Sequence, residues 1–390
     1  MRRRLSLAKA SFACALVFAT AATAADPLVS RGGIENARGF ATTQVVNGLN
    51  SPWGMTWLPD GTLLITQKSG TIRVVRDGAL MAQSIDFPGS VLDLGQGGLM
   101  DIATSPDFET DNLLYFTYAT GDPQANQTAI GRATWTGDGL AGFTEIFRVA
   151  AAKEGGAHFG SRLLFLPDGT LLASIGDGGN PPITFASEEI RQQAQSLQTH
   201  FGSVIRINPD GSVPDDNPFV ATEGARPEIW SYGHRNIQGM AFDPETKAIW
   251  ASEHGAAGGD ELNRLEAGNN YGWPAVTYAR NYGDGTLISD RIAGPGYTAP
   301  VVVWLDTHAP AGATVYRGAD FPDWQGGILS SGLVTQDLRL IMPQAGKKPR
   351  HLSIPIGKRV RDVDVDPDGK LYALTDGENG ALIRIHSAAK

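Results

Sequence analysis

The sequence predicts an all-β chain, a six-bladed β-propeller whose loop insertions form a site on one face. Three observations carry that expectation. One phrase, two apolar runs joined at a turn proline, recurs six times; the 48 glycines and 23 prolines lie outside any low-complexity tract; and no stretch has the composition of an interdomain linker. Turn residues at that density cut a chain into short strands. A hairpin cannot bury its own apolar face, but hairpins stacked radially bury one another's. Two stacked β-sandwiches would reach the same length without making one phrase recur six times, so the propeller is the better account of about 365 mature residues.

Taken in order, residues 1–25 come first. Arg2, Arg3, Arg4 and Lys9 precede the apolar run SFACALVFATA, and small residues end the segment at Ala22-Thr23-Ala24-Ala25. A basic start, a short apolar core and an A-x-A-like site make a secretory signal peptide, too short for a stable membrane span. Its removal leaves residues 26–390 as the expected single propeller domain of an exported, periplasmic protein. Cys14, the only cysteine, leaves with it, so the mature chain has neither disulfides nor thiol chemistry. Four basic and no acidic residues go, which moves the formal charge from −9 to −13. That balance excludes nucleic acid and anionic membrane surfaces as natural partners.

The copies of the phrase span 54–75, 99–119, 162–177, 239–255, 313–333 (degenerate) and 360–376, with turn prolines at Pro59, Pro106, Pro167, Pro244, Pro322 and Pro367. The gaps between these prolines are 47, 61, 77, 78 and 45 residues; the short ones suit a four-stranded blade and the long ones a blade with inserted loops. In the third copy, RLLFLPDGTLLASIGD, Pro167 presets φ, Asp168 bonds back to its own backbone and Gly169 takes positive φ. Between copies three and four, Ser187-Glu188-Glu189 is expected to start a short helix, and GSVIRINPDGSVP a further strand and turn. Between copies four and five lies a Gly/Asn/aromatic loop, ELNRLEAGNNYGWPAVTYARNYGDGTLI.

Four clusters at strand ends carry candidate chemistry. A hairpin folded at Asp168-Gly169 sets His158, ahead of its first strand, beside Asp177, just past its second. A histidine beside a carboxylate serves as a base and its orienter, although both residue types also fill ordinary loop and turn positions. The second cluster is Gly233-His234-Arg235-Asn236-Ile237-Gln238-Gly239, the third Ser252 to Glu261, and the fourth Gly357 to Asp362. In Arg359-Val360-Arg361 the i, i+2 spacing puts both guanidiniums on one strand face, an arrangement suited to a multiply charged carboxylate or phosphate. The carbonyls of the Gly-rich run after Glu253, with Asp260 near by, suit a hard cation such as calcium. No H-E-x-x-H, Cys/His zinc spacing, G-x-S-x-G or P-loop is present, so serine-hydrolase and nucleotide chemistry have no support.

These residues bring the chain to a known family. From about Val45 to Ile385 it resembles the soluble, periplasmic aldose dehydrogenases that use pyrroloquinoline quinone (PQQ). The specific phrases are GQGGLMDIATSPDF, GAHFGSRLLFLPDG with IGDGG, GHRNIQGMAFDP, DELNRLEAGNNYGWP and RVRDVDVDPDGKLYALTD. The resemblance implies a six-bladed propeller that oxidises an aldose at its anomeric carbon to the lactone and passes electrons to a soluble acceptor, as a monomer or homodimer. It implies His158 as catalytic base, Asp177 as its supporting carboxylate and Arg235 as a charge stabiliser. Gln96, Arg235, Asn236, Thr307, Arg359 and Arg361 match cofactor-contacting positions. Gly255 and Ala256 fall where two backbone carbonyls bind a calcium ion.

Two positions depart from the family pattern. Ala256 replaces a proline, which leaves a backbone ligand unaffected. Val334, in Gly332-Leu333-Val334, stands where the family supplies a cofactor-binding lysine. A calcium-dependent propeller lactonase and a non-enzymatic exported scaffold are the competing readings. The first would give Arg359 and Arg361 no role, and the second would leave the His158/Asp177 and Arg235-Asn236 pairs unexplained.

Overall fold

The strands of the computed structural model, which describes residues 26–344 and 347–388, group into six blade sheets around a central channel, with one small hairpin beside them. Blade 1 is built on Pro52–Trp57, Leu63–Gln67 and Thr71–Arg76; blade 2 on Leu99–Thr104, Leu113–Gly121, Asn126–Trp135 and Leu140–Arg148. Blade 3 comprises Leu163–Phe165, Leu171–Ile175, Ser203–Ile207 and Ile229–Tyr232; blade 4 comprises Ile237–Phe242, Ile249–Glu253, Asp260–Leu265 and Val302–Trp304. Blade 5 has Pro310–Val315, Ile328–Gly332, Asp337–Gln344 and Lys347–Pro355. Blade 6 has Val360–Val365, Leu371–Thr375 and Gly380–Ser387. The six repeated phrases supply the first two strands of the six blades. The expected signal peptide at 1–25, including Cys14, lies outside the described residues.

The continuous apolar runs of these strands follow from burial on both faces. In Leu171–Ile175, Leu171, Ala173 and Ile175 pack toward blade 2, while Leu172 packs toward blade 4. Each junction between successive blades holds its own buried cluster, from Leu64 and Phe116 between blades 1 and 2 to Leu63, Ile65 and Leu374 between blades 6 and 1. Alternation at period two thus feeds two interfaces at once.

The ring closes with a strand that no repeat announces. Phe40–Leu49 pairs antiparallel with Gly380–Ser387 as the outer strand of blade 6, so one sheet joins both ends of the chain. Upstream, Leu28–Ser30 and Glu35–Asn36 run parallel to the outer strands of blades 4 and 5 and cover those edges. Across the channel Arg162 bonds Asp101 at 2.9 Å and Asp362 at 3.1 Å, and its guanidinium lies 4.8 Å from the centre of the Trp53 ring.

The expected helix at Ser187-Glu188-Glu189 is not formed there. Thr184–Phe185 and Glu188–Glu189 pair as a small hairpin around Ala186 and Ser187, whose φ values are 48° and 73°. A 3₁₀ helix follows at Ile190–Gln195. Two successive residues at positive φ make a hairpin turn, and this turn places Ser187 outside any helix. GSVIRINPDGSVP forms the expected strand, Ser203–Ile207, and a turn with Gly211 at positive φ.

Candidate active site

The second strand of each hairpin delivers its last residue to one rim. Just past those strands come Lys68 (blade 1), Asp177 (blade 3), His254 (blade 4), Val334 (blade 5) and Asp376 (blade 6). Lys68, His254, Val334 and Asp376 line a cavity of about 560 Å³ together with Gln96 and His158. Thr307, Arg359, Arg361, Gly255 and Ala256 line the same cavity, while Asp177, Arg235 and Asn236 are buried behind it or beside it. The four sequence clusters therefore meet at one place.

His158 is buried at positive φ (49°), held there by its own N–H bonding Gln96 Oε1 at 2.9 Å. Strain of this kind persists only where the surroundings over-determine it. Gly176 permits the close approach, since a Cβ there would strike the His158 carbonyl. His158 Nδ1 lies 2.6 Å from Asp177 Oδ1. Asp177 is fixed in turn by the Gly179 N–H at 3.2 Å and, through Oδ2, by Trp273 Nε1 at 2.8 Å. Burial, then the Arg235 cation, push the imidazole below its ordinary pKa, and Asp177 only partly offsets them. At neutral pH the ring is therefore uncharged. The carboxylate selects the tautomer with hydrogen on Nδ1, leaving Nε2 as the basic nitrogen.

Arg235 and Asn236 lie where the chain enters blade 4. The Arg235 backbone N–H bonds Glu253 Oε2 at 2.8 Å, its guanidinium lies 5.3 Å from the Trp273 ring centre, and Nη1 donates to the Gly255 carbonyl. Asn236 Oδ1 accepts from the Gly160 N–H at 3.0 Å, while its Nδ2 is buried without a partner. Asp260 is not free to reach a cation: its carboxylate accepts from the N–H groups of Gly255, His308 and Ala309, each at 2.7 Å. Burial raises Asp260 to about 6 against those bonds, so at neutral pH it still places negative charge behind Gly255. The Arg235 guanidinium answers that charge, donating to the Gly255 carbonyl and, at 3.3 Å, to the His254 carbonyl. Among the described residues no three or more His, Cys, Asp or Glu side chains converge as a metal site.

Arg359 and Arg361 share one face, as their spacing requires. Asp376 Oδ2 accepts from Arg359 at 3.0 Å and from Arg361 at 3.3 Å. Burial would raise the Asp376 carboxyl, but Arg361 and Arg359 outweigh it and hold it below its ordinary pKa. Arg361 also donates to Gln238 Oε1 at 3.0 Å, and its buried Nε has no partner.

Several site residues were not assigned from sequence. Trp273 orients Asp177 from 96 residues away, in the aromatic loop between the third and fourth strands of blade 4, where the sequence marks the loop but not the role of this residue. His254 also faces the cavity, but no carboxylate orients it; burial and the Arg235 cation push it well below its ordinary pKa. Buried Lys153 lies 4.0 Å from the Phe159 ring centre and donates to Asn126 Oδ1 at 3.1 Å. Lys68 had a legible signal, because it follows the second strand of its hairpin as Asp376 does in blade 6.

Comparison with known proteins identifies the family. The family model described as glucose/sorbosone dehydrogenase matches residues 49–384. An uncharacterized protein of Synechocystis is 47% identical over 352 residues, covering 88% of this chain and 85% of the relative. Aldose sugar dehydrogenase YliI of Escherichia coli is 36% identical over 346 residues, covering 86% and 90%. Among solved structures, the PQQ-bound aldose sugar dehydrogenase of Streptomyces coelicolor superposes with a TM-score of 0.68 at 28% identity, covering 89% of this chain and 98% of that one. Matched by the family model across all six blades and by a relative along nearly its whole length, the chain is an enzyme of the glucose/sorbosone dehydrogenase family.

Proposed function

We propose that this enzyme oxidises an aldose at its anomeric carbon to the lactone, using PQQ. The observation that carries the reading is the neutral, carboxylate-oriented His158 on the wall of a cavity that Lys68, Arg359 and Arg361 also line. The site suits the cofactor in its donors: Arg359 and Arg361 line the cavity and provide planar forks for carboxylates, and Asn236 Nδ2, buried beside it, has no partner. When bound, PQQ supplies the two-electron oxidant that takes the hydride from the anomeric carbon. His158 Nε2 accepts the proton of the anomeric hydroxyl. Asp177, held by Trp273, keeps the ring in place and stabilises the imidazolium that forms. Gln96, Arg235, Asn236 and Thr307 would contact the cofactor alongside the arginines, with Arg235 stabilising negative charge that develops there.

Calcium, carried by the Gly255 and Ala256 carbonyls, would compete with Arg235 for Gly255. Residues 1–25 are read as an export signal and the electron acceptor as a soluble one. Adding PQQ and calcium to purified apoprotein and following dye reduction across mono- and disaccharides tests the reading. Wild type is expected to turn over, and His158→Ala to lose about 10²–10⁴ in rate with PQQ still bound. No turnover with any aldose, or near-normal turnover by the variant, refutes the reading.

A further inference from the structure

We propose that Lys68 is a third cationic anchor for the cofactor's carboxylates, completing a basic arc with Arg359 and Arg361. The inference rests on the PQQ reading of this cavity and names a residue that the family resemblance did not supply. Lys68 belongs to blade 1, which the ring closure sets directly beside blade 6. A short backbone relay links the two blades: the Lys68 N–H bonds the Ser51 carbonyl at 3.1 Å, and the Ser51 N–H bonds the Gly377 carbonyl at 2.8 Å. Gly377 follows Asp376, the carboxylate that holds both arginines. Lys68 is therefore tied through the backbone to the arginine pair.

Its charge is the least compensated of the three. The Lys68 ammonium donates to the neutral Gly95 carbonyl at 2.6 Å, and its acidic neighbour, Asp93, is 3.4 Å away and half exposed. The Lys68 side chain itself is only 20% exposed, so it stays on the cavity wall. Gly98 leaves room for it, since a Cβ there would run into the Lys68 carbonyl. Other candidates on this side fail. Val334 lines the cavity but has no donor, and Lys347 and Lys348 are exposed on the outer strand of blade 5. PQQ carries three carboxylates, and Lys68, Arg359 and Arg361 bring three positive charges to the lining of one cavity.

The test measures binding to apoprotein, by quenching of intrinsic tryptophan fluorescence, with PQQ and with its uncharged trimethyl ester as probes. Lys68→Gln keeps an N–H donor for Gly95 and removes the charge. It is expected to weaken PQQ about 10- to 100-fold, to leave ester affinity unchanged, and to flatten the salt dependence of PQQ binding. Lys68→Arg should restore most of the affinity, and this variant keeps the test alive should Lys68→Gln fail to fold. Unchanged PQQ affinity in Lys68→Gln, or an equal loss for the ester, overturns the anchor and leaves the PQQ reading intact. Failure of wild type to bind PQQ overturns both.

Discussion

Lys153 shows how much of the site's electrostatics lies in residues that touch no substrate. Burial lowers its pKa to about 8, opposed by Asp177, and its cation is one of the groups that hold His158 below the ordinary histidine value. The sign of its removal follows. Without that cation the imidazole keeps its proton to higher pH, and the protonated ring is the inactive base. Lys153→Met should therefore move the acid limb of the kcat/KM profile to higher pH, read across pH with one aldose in PQQ-loaded protein. A limb that stays put, or moves down, refutes the coupling. At this scale the sequence was informative where chemistry is local. The hairpin at Asp168-Gly169 placed His158 by Asp177, and the i, i+2 spacing aligned Arg359 with Arg361. Lys153 and Trp273 were not assigned, because their roles arise from contacts between segments far apart in the chain; Lys68 was marked by its place after a hairpin strand, but its partners lie on another blade.

At the level of elements, the loop that follows Ile249–Glu253 is held at Gly255 by two charged side chains. Asp260 pins it through the Gly255 N–H, while Arg235 caps the Gly255 carbonyl. A calcium ion taking that carbonyl would release the guanidinium toward a bound anion, so cation and cofactor should bind with positive coupling. Exhaustive chelation is then expected to weaken PQQ about 5- to 150-fold and to lower the melting temperature of the loaded protein together with it. Equal PQQ affinity with and without calcium, measured by titration, sinks the coupling. The hairpins themselves were legible because Pro, Asp and Gly fix turn geometry through their own backbone chemistry. The short helix expected from Ser187-Glu188-Glu189 starts only at Ile190, because Ala186 and Ser187 take a positive-φ turn although neither is a habitual positive-φ former.

The molecule as a whole depends on its closure. Val46 and Leu49 of the closing strand are buried against Leu63, Ile65, Leu374 and Leu382. Burial of each contributes about 1.5–3 kcal/mol, a large share of a total stability of about 5–15 kcal/mol. A chain beginning at Arg38 keeps the closing strand and should melt cooperatively, a few degrees below the mature chain. One beginning at Asn50 lacks it and should show no cooperative transition; calorimetry distinguishes the two, and an unchanged melting temperature for the shorter chain refutes the role of closure. The sequence by itself determined the number of blades and which hairpin ends share a rim, since a repeated phrase with strong turn chemistry writes the same local geometry each time. Only the tertiary structure decided which segment closes the ring, that Lys68 meets the arginines of blade 6, and that Arg235 holds Gly255. Those contacts join residues tens to hundreds of positions apart, and their energy exists only once the blades have stacked.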